Sequence, residues 1–129
     1  MSDVLVAVYG SLRKGLGNHR VMEIAKGELV DAGYTSKNCN LYDLGAFPSV
    51  SLAHSSANKP VRVEVYQVPE DGVTGPLDGL EGYPHFYNRT VINVDLDNGE
   101  VVQAWLYHID AEKSKLVESG DWVKYLEER

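Results

Sequence analysis

Two β-rich runs joined by a turn sequence constrain the fold more than any other part of this chain. They are Arg89 to Leu96 and Val101 to Ile109, and Asp97-Asn98-Gly99 lies between them. Asn-Gly is a strong short-range signal for a β-hairpin, because both residues tolerate the backbone angles that a tight turn needs. The segment therefore predicts two neighbouring antiparallel strands.

Other strands are predicted earlier in the chain. Val4 to Tyr9 is an apolar run long enough for a buried strand, and Leu29 to Leu44 is mostly extended. Val61, Val63 and Val65 alternate with Arg62, Glu64 and Tyr66. This alternation predicts a strand with one buried face and one solvated face.

Short helices are predicted between the strands. His19 to Lys26 has apolar residues at helical spacing, with Asn18 as a possible N-cap and Gly27 as a natural stop. Thr74 is predicted to cap a second helix, which should end near Gly82-Tyr83-Pro84.

The organisation of the chain predicts one domain covering residues 1–129, because this is the usual length of a single domain and no repeat or linker divides it. The polar tail from Ala111 to Arg129 is expected to pack as one or two short helices. Mixed strands and short helices predict an α/β mixed (α+β) fold, built on a small curved or closed β-barrel.

Charge and cysteine content narrow the choice of partner and compartment. Lys plus Arg number 12 and Asp plus Glu number 19, a net charge of −7, which argues against nucleic acid or an anionic membrane as a partner. Cys39 is the only cysteine and no secretory signal follows Met1, so a reducing, cytoplasmic location is expected. We also expect a soluble protein, because no apolar run approaches the ~20 residues of a membrane span. A monomer is expected as well.

The sequence argues against a metal or a cofactor. Its histidines show no HxxxH or HExxH spacing; they are His19, His54, His85 and His108. Gly15-Leu16-Gly17 is neither a Walker loop nor a dinucleotide fingerprint. Ser11 lacks the G-x-S-x-G context of a hydrolase nucleophile.

The first candidate site is the turn Tyr9-Gly10-Ser11-Leu12, directly after the first strand. Gly10 permits a positive φ angle, so the chain can turn sharply and direct successive backbone N–H groups into a concavity that suits an anion. Gly10→Val should then harm folding and binding, because a β-branched residue avoids positive φ. A plain tight turn is the alternative interpretation.

The second candidate is Glu81, at the predicted end of a helix and close to several aromatic residues, which are Tyr83, Phe86 and Tyr87. In a partly apolar pocket, desolvation would raise the pKa of this carboxyl group and make it a competent proton acceptor near neutral pH. The alternative is an ordinary solvated glutamate at a helix end.

Several motifs, in this order and at these spacings, resemble the gamma-glutamylcyclotransferase-like family, in particular its small single-domain branch related to gamma-glutamylamine cyclotransferase. They are YGSLRKG after the first strand, G-x-aromatic-P at 45–48, LDGLEGYP with YNR at 77–89, AWLY at 104–107 and ESGDW at 118–122. The resemblance implies a small β-barrel with a cavity at one end and a catalytic Glu81. It also implies a substrate-binding loop at Tyr9, Gly10, Ser11 and Leu12, with Tyr87 and Tyr107 lining the cavity.

The activity implied by this resemblance is ring closure without a cofactor. The α-amine of a small gamma-glutamyl substrate attacks its own γ-carbonyl, which releases 5-oxoproline and a free amine, and Glu81 acts as base and then acid. Backbone N–H groups near Gly10, and hydroxyl donors such as those of Tyr87 or Tyr107, would hold the negative charges. The alternatives are a non-catalytic metabolite-binding or regulatory module on the same fold and a relative that removes a gamma-glutamyl protecting group.

Overall fold

The computed structural model describes residues 3–10, 12–43, 48–52, 59–82, 87–109 and 115–128. Seven strands lie within these ranges. They are β1 (Asp3–Val8), β2 (Glu28–Thr35), β3 (Asn40–Asp43), β4 (Pro48–Ser51), β5 (Arg62–Pro69), β6 (Asn88–Leu96) and β7 (Val101–His108). Five of them close into a barrel in the order β1-β5-β2-β6-β7, while β3 and β4 form a separate two-stranded sheet.

Strand pairing in the barrel is antiparallel except at the seam between β1 and β7, which is parallel and pairs Val6 with Trp105. The predicted hairpin is confirmed. Gly99 has φ 94° in its turn, and the N–H of Leu96 donates to the carbonyl of Glu100 at 2.8 Å. The predicted barrel with a few short helices is therefore the observed fold.

Four short helical segments accompany the strands in the described part of the chain. They are α1 (His19–Ile24), α2 (Glu70–Gly72), α3 (Asp78–Glu81) and α4 (Trp122–Glu128), and a π-helical turn (Val73–Leu77) joins α2 to α3. None of them has the length and apolar character of a membrane-spanning helix. The single helix seen in the tail is held by Val117 and Trp122, which are buried.

Helix α1 lies where it was predicted, but its ends differ in detail. Asn18 occupies the N-cap position without a capping hydrogen bond from its side chain. The left-handed residue after the helix is Lys26, at φ 64°, rather than Gly27. Gly27 is nevertheless required, because a Cβ there would collide with the side chain of Met22.

The second helical segment begins earlier than predicted. It starts at Glu70 directly after Pro69, so Thr74 is not the cap; its hydroxyl donates to the carbonyl of Glu70 at 3.3 Å. Pro76 lies inside the π-helical turn, where an irregular hydrogen-bond pattern accommodates a residue without an N–H. The end is as predicted, since Gly82 at φ 68° stops the segment after Glu81.

The core has two parts because neighbouring residues on a strand point to opposite faces. The part inside the barrel includes Ala7, Val63, Val65, Val94 and Leu106. The part between the barrel wall and the helices includes Val6, Val8, Met22, Val68 and Leu77.

The prediction of one solvated face on β5 is wrong at Tyr66, which is only 3% exposed. The helical side of the molecule covers it, with the ring of His19 centred 5.8 Å away. The motif at 45–48 falls outside the described residues except for Pro48, which begins β4.

Candidate active site

A cavity of about 190 Å³ lies at the C-terminal end of β1, between the barrel and α3. Six residues predicted from the sequence line it, and they are Tyr9, Gly10, Leu12, Glu81, Tyr87 and Tyr107. Ser11, the remaining predicted site residue, falls outside the described residues. Segments that are distant in the sequence therefore meet at one cavity.

The turn after β1 is closed by a hydrogen bond from the N–H of Arg13 to the carbonyl of Gly10 at 3.0 Å. Gly10 does not adopt the positive φ that we expected; the glycines that do are Gly15, Gly82, Gly99 and Gly120. Its role is close approach instead, since a Cβ at Gly10 would lie 2.6 Å from Cγ of Pro48. The turn and the start of β4 therefore pack directly against each other on the cavity wall.

Arg13 anchors this turn from behind. The residue is only 7% exposed, its Nε lies 3.2 Å from Oε2 of Glu64, and one terminal nitrogen lies 2.9 Å from Oδ1 of Asp121. Burial opposes ionisation of Asp121, but the hydrogen bonds from Arg13 and from the backbone of α4 outweigh it and lower the pKa of Asp121. The arginine thus ties the turn to β5 and to the start of α4.

Glu81 is the last residue of α3, and the left-handed Gly82 turns the chain away immediately after it. No hydrogen bond or ion pair involves its side chain within the part of the chain that the structure describes. Burial raises the pKa of this carboxyl group to about 7. A half-buried, unpaired carboxyl group in a cavity can both accept and return a proton near neutral pH.

The tyrosine hydroxyl groups around the cavity already donate their protons within the protein. Tyr9 donates to the carbonyl of Tyr107 at 2.8 Å, and Tyr87 donates to the carbonyl of Pro48 at 2.7 Å. Tyr107 donates to Oδ1 of Asp78 at 2.6 Å. This differs from the expected role of Tyr87 and Tyr107 as donors to a bound negative charge.

Tyr87 and Tyr107 remain neutral phenols at ordinary pH. Desolvation raises the pKa of Tyr87 well above its usual value, and the nearby charge of Glu81 adds to the effect. Desolvation, together with the hydrogen bond to Asp78, does the same for Tyr107. The charge of Glu81 contributes to the raised pKa of both tyrosines, which indicates that its carboxyl group lies near both hydroxyl groups.

Sequence reasoning missed the residues that support the predicted ones. Asp78 lies one helical turn before Glu81, and its Oδ1 is 3.1 Å from Nε of Arg89. The guanidinium of Arg89 in turn lies over the ring of Trp105, 4.8 Å from its centroid. Only the helical spacing of Asp78 and Glu81 could have indicated this arrangement, because residues three apart lie on one side of a helix.

A second cavity, of about 400 Å³, lies beside β6, but the described residues that line it include no carboxylate and no histidine. Among the residues with described positions, no group of three or more His, Cys, Asp or Glu side chains is arranged to hold a metal ion. Glu81 is the carboxyl group among the described residues that line the first cavity.

Comparison with known proteins agrees with this picture. A family model described as "Gamma-glutamyl cyclotransferase, AIG2-like" matches residues 6–124. Two proteins, from Methanocaldococcus jannaschii and Vibrio cholerae, are each named "putative gamma-glutamylcyclotransferase". Each is 35% identical to this chain over 120 residues, which span 93% of this chain and 96% of the relative.

Solved structures share the fold. An AIG2-like protein from Mus musculus superposes with a TM-score of 0.78 at 26% identity, covering 88% of this chain and 81% of its own. Allophanate hydrolase from Kluyveromyces lactis matches 99% of this chain with 22% of its own length, at a TM-score of 0.72 and 23% identity, which is a likeness of fold alone. Because one family model matches nearly the whole length, the chain belongs to the AIG2-like gamma-glutamyl cyclotransferase family.

Proposed function

We propose that this protein is a gamma-glutamyl cyclotransferase that works without a cofactor and releases 5-oxoproline from a small gamma-glutamyl compound. The observation that carries the proposal is the carboxyl group of Glu81, which lines the cavity and has a pKa of about 7 because of burial. Family membership supports the substrate class, since the family is described as a gamma-glutamyl cyclotransferase.

The reaction moves two protons from the α-nitrogen to the departing nitrogen. The Glu81 carboxylate accepts the first from the α-ammonium group of the substrate, and the freed amine attacks the γ-carbonyl carbon to form a five-membered ring whose nitrogen carries one proton too many. As the tetrahedral intermediate collapses, Glu81 gives its proton to the departing nitrogen and the bond to that nitrogen breaks. The regenerated carboxylate then takes the extra proton from the ring nitrogen and passes it to the released amine, which leaves as an ammonium. A pKa near the working pH suits both transfers.

The protein's remaining task is to hold the substrate in a folded conformation. Orienting an intramolecular attack can remove on the order of 7–11 kcal/mol of barrier, so no protein nucleophile is required. Backbone N–H groups at Gly10 and Leu12, both on the cavity wall, are suited to the substrate carboxylate or to the developing oxyanion. Pro48 and Leu80 add apolar wall, which limits access of water to the reacting groups.

The proposal is tested by measuring 5-oxoproline release from gamma-glutamyl amino acids, glutathione and gamma-glutamyl-ε-lysine. Glu81→Gln should lower kcat by roughly 10²-fold or more, the usual scale for a general base. Glu70→Gln is the matched control, because it changes an exposed glutamate on the same helical segment. It should retain wild-type turnover.

Either of two outcomes would contradict the proposal. Full turnover by Glu81→Gln would remove Glu81 from the role of base. Absence of 5-oxoproline with every substrate, from protein shown to be folded by circular dichroism, would argue against the enzyme and in favour of a binding module.

A further inference from the structure

Asp78 stands out because it lies on the same short helix as Glu81 and binds Tyr107, a residue of the cavity wall. Its Oδ1 accepts the hydroxyl proton of Tyr107 at 2.6 Å and lies 3.1 Å from Nε of Arg89. The side chains of Asp78 and Arg89 are only 12% and 17% exposed. A carboxylate paired with a guanidinium can only accept from the tyrosine, which fixes where the proton of Tyr107 points.

A similar constraint holds for Tyr87. Its hydroxyl donates to the carbonyl oxygen of Pro48 at 2.7 Å, and a carbonyl cannot donate. Each hydroxyl group has one proton, so both tyrosines have committed it to an acceptor within the protein. What Tyr87 and Tyr107 can offer a ligand is a lone pair of the hydroxyl oxygen, beside the carboxyl group of Glu81.

We propose that Asp78, held in place by Arg89, is a positioning residue that makes this wall of the cavity an acceptor of hydrogen bonds, and that the wall selects the α-ammonium group of the substrate. This inference rests on the proposed function and adds the orientation of the substrate. The ammonium lies against Glu81, Tyr87 and Tyr107, where it can deliver its proton to Glu81.

The orientation has a chemical reason. An ammonium group has three donors and no acceptor, so it matches a wall that offers only acceptors. Gly10 and Leu12 also line the cavity, and backbone N–H groups there would suit the substrate carboxylate. If the hydroxyl proton of Tyr107 were free to turn into the cavity, it would point at a proton of the ammonium group. The repulsion between the two would weaken binding.

The test compares two ligands that differ in the α-amine alone. The binding constants of a gamma-glutamyl amide and of the corresponding glutaryl amide, which lacks the amine, are measured by titration calorimetry in the Glu81→Gln background. Turnover is slowed in this background and the glutaryl amide cannot cyclise, so binding can be measured whether or not the protein is an active cyclotransferase. Adding Asp78→Ala, which removes the acceptor of the Tyr107 proton, should weaken the amine-bearing ligand by about tenfold or more and leave the glutaryl amide within about twofold.

Tyr107→Phe provides a second route to the same result, because it removes the hydroxyl oxygen that accepts from the ligand and keeps the aromatic ring. It should cause a similar selective loss, and combining it with Asp78→Ala should add little further loss, since Asp78 acts through Tyr107. Asp71→Ala, at an exposed aspartate on α2, is the matched control and should change the binding of neither ligand. Equal weakening of both ligands, or no weakening of either, in Asp78→Ala and Tyr107→Phe would overturn the inference.

Discussion

Replacing Glu81 with glutamine should make the protein more stable above neutral pH, even though it removes the proposed base. Burial raises the pKa of this carboxyl group from 4.5 to about 7, so the folded state binds its proton more tightly than the unfolded state does. As pH rises, the unfolded chain loses the proton first, and the free energy of unfolding falls. The fall begins near the unfolded pKa and levels off once pH has passed the folded pKa.

The size of the effect follows from the two pKa values. At 1.36 kcal/mol for each unit of difference, ionisation of Glu81 costs the folded protein up to about 3 kcal/mol. Contact with solvent in the cavity screens part of this cost, so about 3 kcal/mol is the upper limit. The glutamine of Glu81→Gln cannot ionise, so the folded variant does not carry this cost.

Urea denaturation of the wild type and of Glu81→Gln, from about pH 4 to pH 9, measures the difference directly. Subtracting the two curves removes the contribution of the other titrating groups, and Glu70→Gln controls for the loss of one negative charge. The advantage of Glu81→Gln should grow between about pH 4.5 and pH 7 and then stay constant. A difference that stays flat with pH, or one that shrinks as pH rises, would refute the assignment of a buried, unpaired carboxyl group.

Three further predictions follow from the geometry. The kcat/KM of the wild type should rise with pH through an apparent pKa of about 7, as Glu81 loses its proton, and a flat profile between about pH 5 and pH 8 would contradict its role as base. Gly10→Ala should cost roughly 1–3 kcal/mol in urea denaturation because its Cβ would lie 2.6 Å from Cγ of Pro48, whereas Gly79→Ala, which meets open space, should cost nothing. Arg13→Met should cost roughly 3 kcal/mol, because it leaves two partly buried carboxylates without their cation; thermal melting that shows no loss would remove Arg13 as the anchor of the turn.

The features that were predictable from the sequence are those that local chemistry determines. The Asn-Gly turn between β6 and β7 depends on residues next to one another, and so does the end of the helical segment at Gly82. The alternation of valines in β5 likewise placed Val63 and Val65 in the core. The proximity of Glu81 to aromatic residues was visible in the same way, since Tyr87 is only six positions away.

The features that were missed depend on which residue, distant in the sequence, packs against the position in the folded chain. Gly10 is small because Pro48 packs against it, and nothing near Gly10 in the sequence indicates that neighbour. Tyr66 is buried because the helical side of the molecule covers β5. The direction of a hydroxyl proton is less predictable still, because for Tyr107 it depends on Asp78 from another element of the fold.

The parallel seam between β1 and β7 affects when the site can form. These strands come from opposite parts of the chain, so pairing them carries the entropic cost of closing a long loop. Tyr107 comes directly after the paired Leu106 and Tyr9 lies two positions after the paired Ala7, and the hydrogen bond between them joins the two strand ends beside the cavity. During synthesis, the helix that carries Glu81 emerges before β7 does, but the surroundings that raise its pKa are complete only after β7 has joined β1.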